Sequence, residues 1–156
     1  MFTVKSNQQG LCEDIIETFR WARARNFDGL RHGESEQTEK GHGRIETRRV
    51  TVLWELSLLR DAGAWPGLTC IAEVECRRTI GEQTSTEVRH VISSVRTDDA
   101  RELGRACRAH WGVENGLHWC LDVTFREDDS RVRMGHAAEN LSRLRRITLN
   151  LLKLDK

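Results

Sequence analysis

The 156-residue chain has a single proline and no apolar run approaching the ~20 residues of a membrane-spanning helix. Its formal charge is only +1, so bulk electrostatics give no pull toward nucleic acid, and any such affinity must come from local clusters of arginine. The opening Met1-Phe2-Thr3-Val4-Lys5 lacks the apolar core of a signal peptide. The five cysteines, Cys12, Cys70, Cys76, Cys107 and Cys120, show no paired framework, and an odd count of this kind implies reduced thiols in a cytosolic setting. There are no internal repeats and no low-complexity tract. With 31% charged and 38% hydrophobic residues, the chain fits one soluble globular domain able to bury a sizeable core.

The pattern predicts a β-rich middle flanked by helices. Phe2–Lys5 reads as a short strand cut at its beginning, with Asn7 or Gln8 as the cap of the next helix. Leu11, Ile15, Phe19 and Ala22 recur at helical spacing from Leu11 to about Arg25, and Asp14 falls on the surface of that helix. The polar, glycine-rich stretch from Asp28 to Gly43 reads as a loop open to motion. Arg44 to Val52 alternates and is rich in β-branched residues, as a strand does. A short helix is expected over Trp54–Arg60, and a turn over Ala62–Gly67 around the one proline, Pro66. Leu68–Thr79 and Val88–Val95 read as antiparallel strands, with Gly81-Glu82-Gln83 in their connection. Thr97, ahead of Asp98 and Asp99, reads as the N-cap of a helix reaching about Asp122. A charged turn region follows over Phe125–Met134. The last helix runs from Ala137 to Leu154, with Leu141, Leu144, Ile147 and Leu151 as its apolar stripe.

The informative stretch is Arg108 to Asp122. On a continuous helix, Cys107, His110, Trp111, Glu114, Leu117, His118 and Leu121 share one broad face. Glu114 at the centre of an otherwise apolar and aromatic face is anomalous, because a buried carboxylate must be paired, protonated or metal-bound. On spacing alone, two readings stand: an ion pair with Arg105 or Arg108, or a metal ligand.

The words around Glu114 bear on that choice. His110-Trp111-Gly112-Val113-Glu114-Asn115, Leu117-His118-Trp119, Leu121 to Phe125 and Glu127 to Arg131 resemble the C-terminal part of bacterial insertion-sequence DDE transposases. The resemblance is to the H-repeat-associated branch of the IS-four-like group. Lys5-Ser6-Asn7-Gln8, Gly41 to Arg48, Trp65-Pro66-Gly67-Leu68 and Leu149 to Lys153 add to it in the family's order, over nearly the whole chain.

The resemblance implies an α/β fold: the C-terminal part of a ribonuclease H-like core, with a β-rich insertion at about 44–95. The helix at about 98–122 carries the third of three catalytic carboxylates. It implies Mg²⁺ as cofactor, since hard carboxylate oxygens suit that ion, and DNA at transposon ends as substrate. Glu114 is then a metal ligand. His110 contacts DNA or orients Glu114, and Lys5, Arg44 and Arg131 contact phosphates. The family's Tyr and Arg before the Glu, and Lys after it, correspond here to Cys107, His110 and Leu121. The first two aspartates precede the Lys-x-Asn-Gln word in the family, and no aspartate precedes Asp14 here. The expectation is a truncated, inactive remnant in the bacterial cytoplasm. The alternative is a non-enzymatic DNA- or protein-binding fragment that associates with itself or with a full-length transposase.

Other constellations carry less. Cys107, His110, His118 and Cys120 have a zinc-like look, but His118 and Cys120 lie about 200° apart around a continuous helix. Arg131, Arg133, Arg143, Arg145 and Arg146, and separately Arg44, Arg48 and Arg49, form basic clusters. Either could neutralise phosphates, or be a solvated face paired with Glu127, Asp128 and Asp129 in the former case. Glycines in the Gly41–Arg44 word would let backbone approach DNA closely. Trp111 and Trp119 are expected in the core.

Overall fold

A computed structural model describes residues 1–41 and 43–154, without the side chains of Ser6, Glu114 and Asn115. It divides into two compact units, Met1–Cys107 and Arg108–Lys156.

The first unit is built on an antiparallel five-stranded sheet in the order β1-β5-β4-β3-β2. Its strands are β1 (Phe2–Thr3), β2 (His32–Gly41), β3 (Arg44–Leu53), β4 (Cys70–Ile80) and β5 (Gln83–Ser93). One face is covered by α1 (Gln9–Ala24), whose Ile15, Phe19 and Ala22 pack on Leu53, Ile71 and Ile92. The predicted stripe of α1 is thus its buried face, although neither Asn7 nor Gln8 supplies a side-chain cap. The other face is covered by α2 (Ala100–Val113), which sets Ala100, Leu103 and Cys107 against Val50, Val52, Ala72 and Val91. Period-2 alternation sends neighbouring residues of one strand to opposite cores, so the sheet base is buried on both sides. A Cβ on Gly33 would lie 2.8 Å from the Trp54 ring, so the edge strand needs glycine there.

Several expectations are corrected. The stretch expected to be a loop is largely strand: His32–Gly41 is β2, paired from His32↔Leu53 to Gly41↔Arg44. Both of its faces are polar, so no hydrophobic alternation marks it. Pairing supplies the strand, with Glu36 on Arg49 at 2.9 Å and the Thr38 and Thr47 hydroxyls 2.9 Å apart. An outermost strand made of charges and glycine also resists further edge pairing. Asp14 is not on the surface. It is buried, accepting the Arg60 backbone N–H at 2.9 Å and facing the Arg60 guanidinium at 3.3 Å. Asp99 rather than Thr97 caps α2, accepting the Arg101 N–H at 2.8 Å. Thr97 instead accepts the Asp99 N–H and donates to Glu102. The segment Trp54–Arg60 holds only a 3₁₀ turn, Leu56–Leu58.

The second unit corrects the single long helix. Beyond Val113 the chain turns π-helical over Glu114–His118 and again over Cys120–Thr124. The 3.6-residue face drawn through Leu117, His118 and Leu121 therefore breaks at Glu114, because i→i+5 bonding resets the angle between successive side chains. Leu121 is buried, whereas Trp119, expected in the core, is 57% exposed. α3 (Ala137–Leu154) has the predicted bounds but not the predicted stripe. Leu149 is its buried residue, while Leu144, Ile147 and Leu151 face outward. The Lys153 ammonium donates to the Gly116 carbonyl at 2.7 Å, joining α3 to the π-helical stretch. No helix of the described residues is long and apolar enough to cross a membrane.

Candidate functional site

Glu114 opens the π-helical stretch that follows α2. Its side chain lies outside the described residues, as does all of His42 in the Gly41–Arg44 word. π-helical turns of this kind recur at functional sites, because the wider turn re-aims side chains away from the regular helix face. His110, in the last turn of α2, is exposed and meets the Trp111 ring edge-on with centroids 6.4 Å apart. Arg131 is exposed in the segment between the π-helical stretch and α3. Among the described residues, no three His, Cys, Asp or Glu side chains are placed to hold a metal ion. The described donors therefore do not by themselves fit a Mg²⁺ pair, which needs several converging carboxylates. The five cysteines are free thiols.

The basic residues after Glu127 are largely engaged nearby. Arg145 and Arg146 approach the Glu127 carboxylate at 3.8 and 3.9 Å, and Arg126 pairs with Asp129 at 3.2 Å. Arg143 pairs with Glu139 one turn away, and Arg133 donates to the Ser130 and Val132 carbonyls at 2.9 and 2.8 Å. This matches the solvated, ion-paired face weighed against phosphate binding.

In the first unit, Lys5 is exposed just ahead of the 3₁₀ turn Ser6–Gln8. It follows β1, which pairs with the Val91–Ile92 end of β5. Arg44 stands at the opposite end of the sheet, in the row Arg44–Ile80–Gln83. The sheet therefore does not bring Lys5 and Arg44 together. Gly41 closes β2 and Arg44 opens β3, and Gly43 takes φ +71°, a conformation that favours glycine.

Around Arg44 the register builds a cluster that linear spacing did not reveal. Cross-strand pairing sets Glu46 opposite Arg78, and Arg44, Arg48 and Arg78 converge on the Glu46 carboxylate. Arg44 Nε lies 3.0 Å and Arg78 Nε 3.8 Å from Glu46 Oε1, and Arg48 also reaches Glu39 at 3.5 Å. Three guanidinium groups thus face two carboxylates on a half-exposed sheet face, leaving donors that can turn to an anion. Arg78 is the residue that sequence reading missed. Its only signal is the β3–β4 register, which sets it opposite Glu46.

On the opposite face, a polar row crosses the sheet as Glu34–Thr51–Glu73–His90. Glu73 accepts from Arg23 of α1 and lies 3.1 Å from His90 Nε2. Burial alone would push the Glu73 carboxyl up, but its hydrogen bonds to His90 and Arg23 hold it below its ordinary value. Arg23, Glu34, Thr51 and Glu73, together with Arg49 and Glu75, line a hollow of about 310 Å³. Within it Arg23 pairs with Glu73, while Arg49 pairs with Glu36. Under α2, burial raises the Cys107 thiol to about 11, with Cys70 and Cys76 adding to the effect.

The chain belongs to the DDE transposase family: the family described as "Transposase DDE domain" matches residues 8–151. Among curated proteins it is 39% identical over its whole length to the "H repeat-associated putative transposase YhhI" of Escherichia coli strain K12, covering 42% of that protein. It is 40% identical over its whole length to "Putative protein YbfL" of the same strain, again covering 42% of the relative. It is also 37% identical over 98% of its length to "Putative transposase YncI" of Escherichia coli O157:H7, covering 39% of that protein. The chain thus spans about two fifths of the length of these curated relatives. No solved structure matches it.

Proposed function

We propose that these residues belong to a machinery for DNA transposition that acts by metal-dependent phosphoryl transfer at transposon ends. The supporting observation is the family match over residues 8–151, which includes the words surrounding Glu114. In this reading residues 1–156 are the C-terminal part of a ribonuclease H-like core, interrupted by a β-rich insertion at about 44–95. Glu114 supplies one carboxylate ligand to divalent metal. Such an ion, Mg²⁺ in this reading, would be held by Glu114 together with further carboxylates and would supply charge stabilisation for phosphoryl transfer. His110 contacts DNA or orients Glu114, while Lys5, Arg44 and Arg131 meet phosphates, with Arg48 and Arg78 beside Arg44. The setting is the bacterial cytoplasm.

One carboxylate of three does not hold a Mg²⁺ pair, so the 156 residues by themselves leave DNA uncut. A nicking assay on supercoiled DNA with Mg²⁺ or Mn²⁺ tests this. Turnover by the purified chain, abolished by Glu114→Gln, would overturn the inactive reading while supporting the role of Glu114.

A second reading is a non-enzymatic fragment that binds DNA or associates with a full-length transposase or with a second copy of itself. The exposed apolar side chains of the second unit favour it. It predicts stable association without strand cleavage.

A further inference from the structure

We propose that the outward face of α3 is a docking seam for the rest of the family polypeptide, the part of each relative that lies outside its match to this chain. The proposal rests on reading these residues as one portion of a transposase domain.

Leu144, Ile147, Leu151 and Leu154 follow one another at steps of three, four and three residues, the spacing of a helix-packing seam. All four are solvent-exposed, at 58%, 55%, 62% and 82%. The seam is not the face that α3 uses within its own unit. There Leu149 is buried, and Arg145, 15% exposed, reaches Glu127. α3 therefore carries two packing faces, and the more apolar one is open.

The rest of the second unit does not cover it. Among its described residues, Leu121 and Leu149 are the buried apolar side chains. Its own apolar core is small, so further burial would stabilise it. Trp119 and Val123, each 57% exposed, leave apolar surface on the π-helical stretch as well.

The size of the seam selects its occupant. A second copy pairing through three turns of one helix would bury well under the ~800 Å² per partner of a stable interface. A core-completing partner covers more. The curated relatives supply one, since about three fifths of each lies outside the matched region. The occupant is thus an aliphatic helix or strand face of that remaining segment, whichever polypeptide carries it.

The test coexpresses the full 156-residue chain with the segment of the YhhI relative that lies outside the match. A one-to-one complex is expected. Leu144→Glu, Ile147→Glu and Leu151→Glu combined should weaken it by about a hundredfold or more, because three aliphatic side chains are no longer buried. Phe2→Glu, which removes an exposed apolar side chain from β1, should change affinity less than about threefold. Circular dichroism of the triple variant checks that its helices persist, and amide exchange on α3 should slow on complex formation with the wild-type chain. No recovered complex, a complex indifferent to the triple variant, or a seam-dependent homodimer that the segment fails to displace would each overturn the proposal. A seam-dependent complex that does not nick DNA would support docking while counting against the transposition reading, so the two fail separately.

Discussion

Replacing Glu73 by glutamine keeps the side chain's shape and removes its charge, which isolates what the carboxylate does between α1 and the sheet. Glu73 and His90 are each 12% exposed, and Arg23 is 48% exposed. The half-exposed Arg23 pair is screened and worth about 0.5 kcal/mol. The His90 contact, to a charged and largely buried acceptor, is worth about 1.5–3 kcal/mol, of which a neutral amide retains about half. The expected loss is therefore about 1–2 kcal/mol at pH 7, read by urea denaturation followed by far-ultraviolet circular dichroism. The pH dependence gives the sharper test. His90 and Arg23 outweigh burial and hold the Glu73 carboxyl below its ordinary value of 4.5, so its stabilisation is present above that pH. It is lost as pH falls through the lower folded-state value. The gap between wild type and Glu73→Gln should close as pH drops below about 4.5. A gap that stays constant down to acid unfolding, or one below about 0.3 kcal/mol at pH 7, would refute the assignment.

Further outcomes follow from the same geometry. Asp14→Ala leaves the Arg60 N–H without its acceptor and should cost about 1–3 kcal/mol in the same denaturation measurement, whereas a surface aspartate would cost almost nothing. Asp99→Ala should cost about 1 kcal/mol as a lost helix cap, with Thr97→Ala smaller. Cys107, its thiol raised to about 11, should react with iodoacetamide at pH 8 far more slowly than the half-buried Cys12, as mass spectrometry of the labelled chain would report. If the Glu46-centred cluster meets DNA, Arg44→Ala and Arg78→Ala should each lower affinity uniformly across sequences. Each should also reduce the slope of log K against log salt by about one. An unchanged slope would confine these arginines to the sheet.

Legibility followed the distance over which each feature is decided. α1 was readable because Ile15, Phe19 and Ala22 repeat at the helix period and all three meet the sheet. The alternation and β-branched residues of β3 marked it as a strand, while its base, Val50–Leu53, is buried on both faces. β2 was missed because both faces of His32–Gly41 are polar, and its strand state comes from hydrogen bonds to β3 rather than from burial. A second unread feature lay in α3, where period alone does not say which of two apolar lines turns inward. Leu149 does, and the Leu144 line does not.

The candidate site divides similarly. Family membership was written in contiguous words, because the residues around Glu114 are neighbours along the chain. Membership in the DDE transposase family therefore needed no coordinates. The break from α- to π-helical backbone at Glu114 did need them, since the 3.6-residue period that makes a sequence readable assumes the geometry that fails there.

What the amino-acid sequence determined by itself is local: helix periods, turn residues and ordered family words, each set by residues within a few positions of one another. Tertiary structure alone decided the pairings between distant positions. Asp14 is buried because Arg60 reaches it across 46 positions, Glu73 is held between Arg23 and His90, and Arg78 joins Arg44 only through strand register. Charge and burial depend on which groups meet in space, and a polar residue carries no mark in the chain of the partner that will satisfy it.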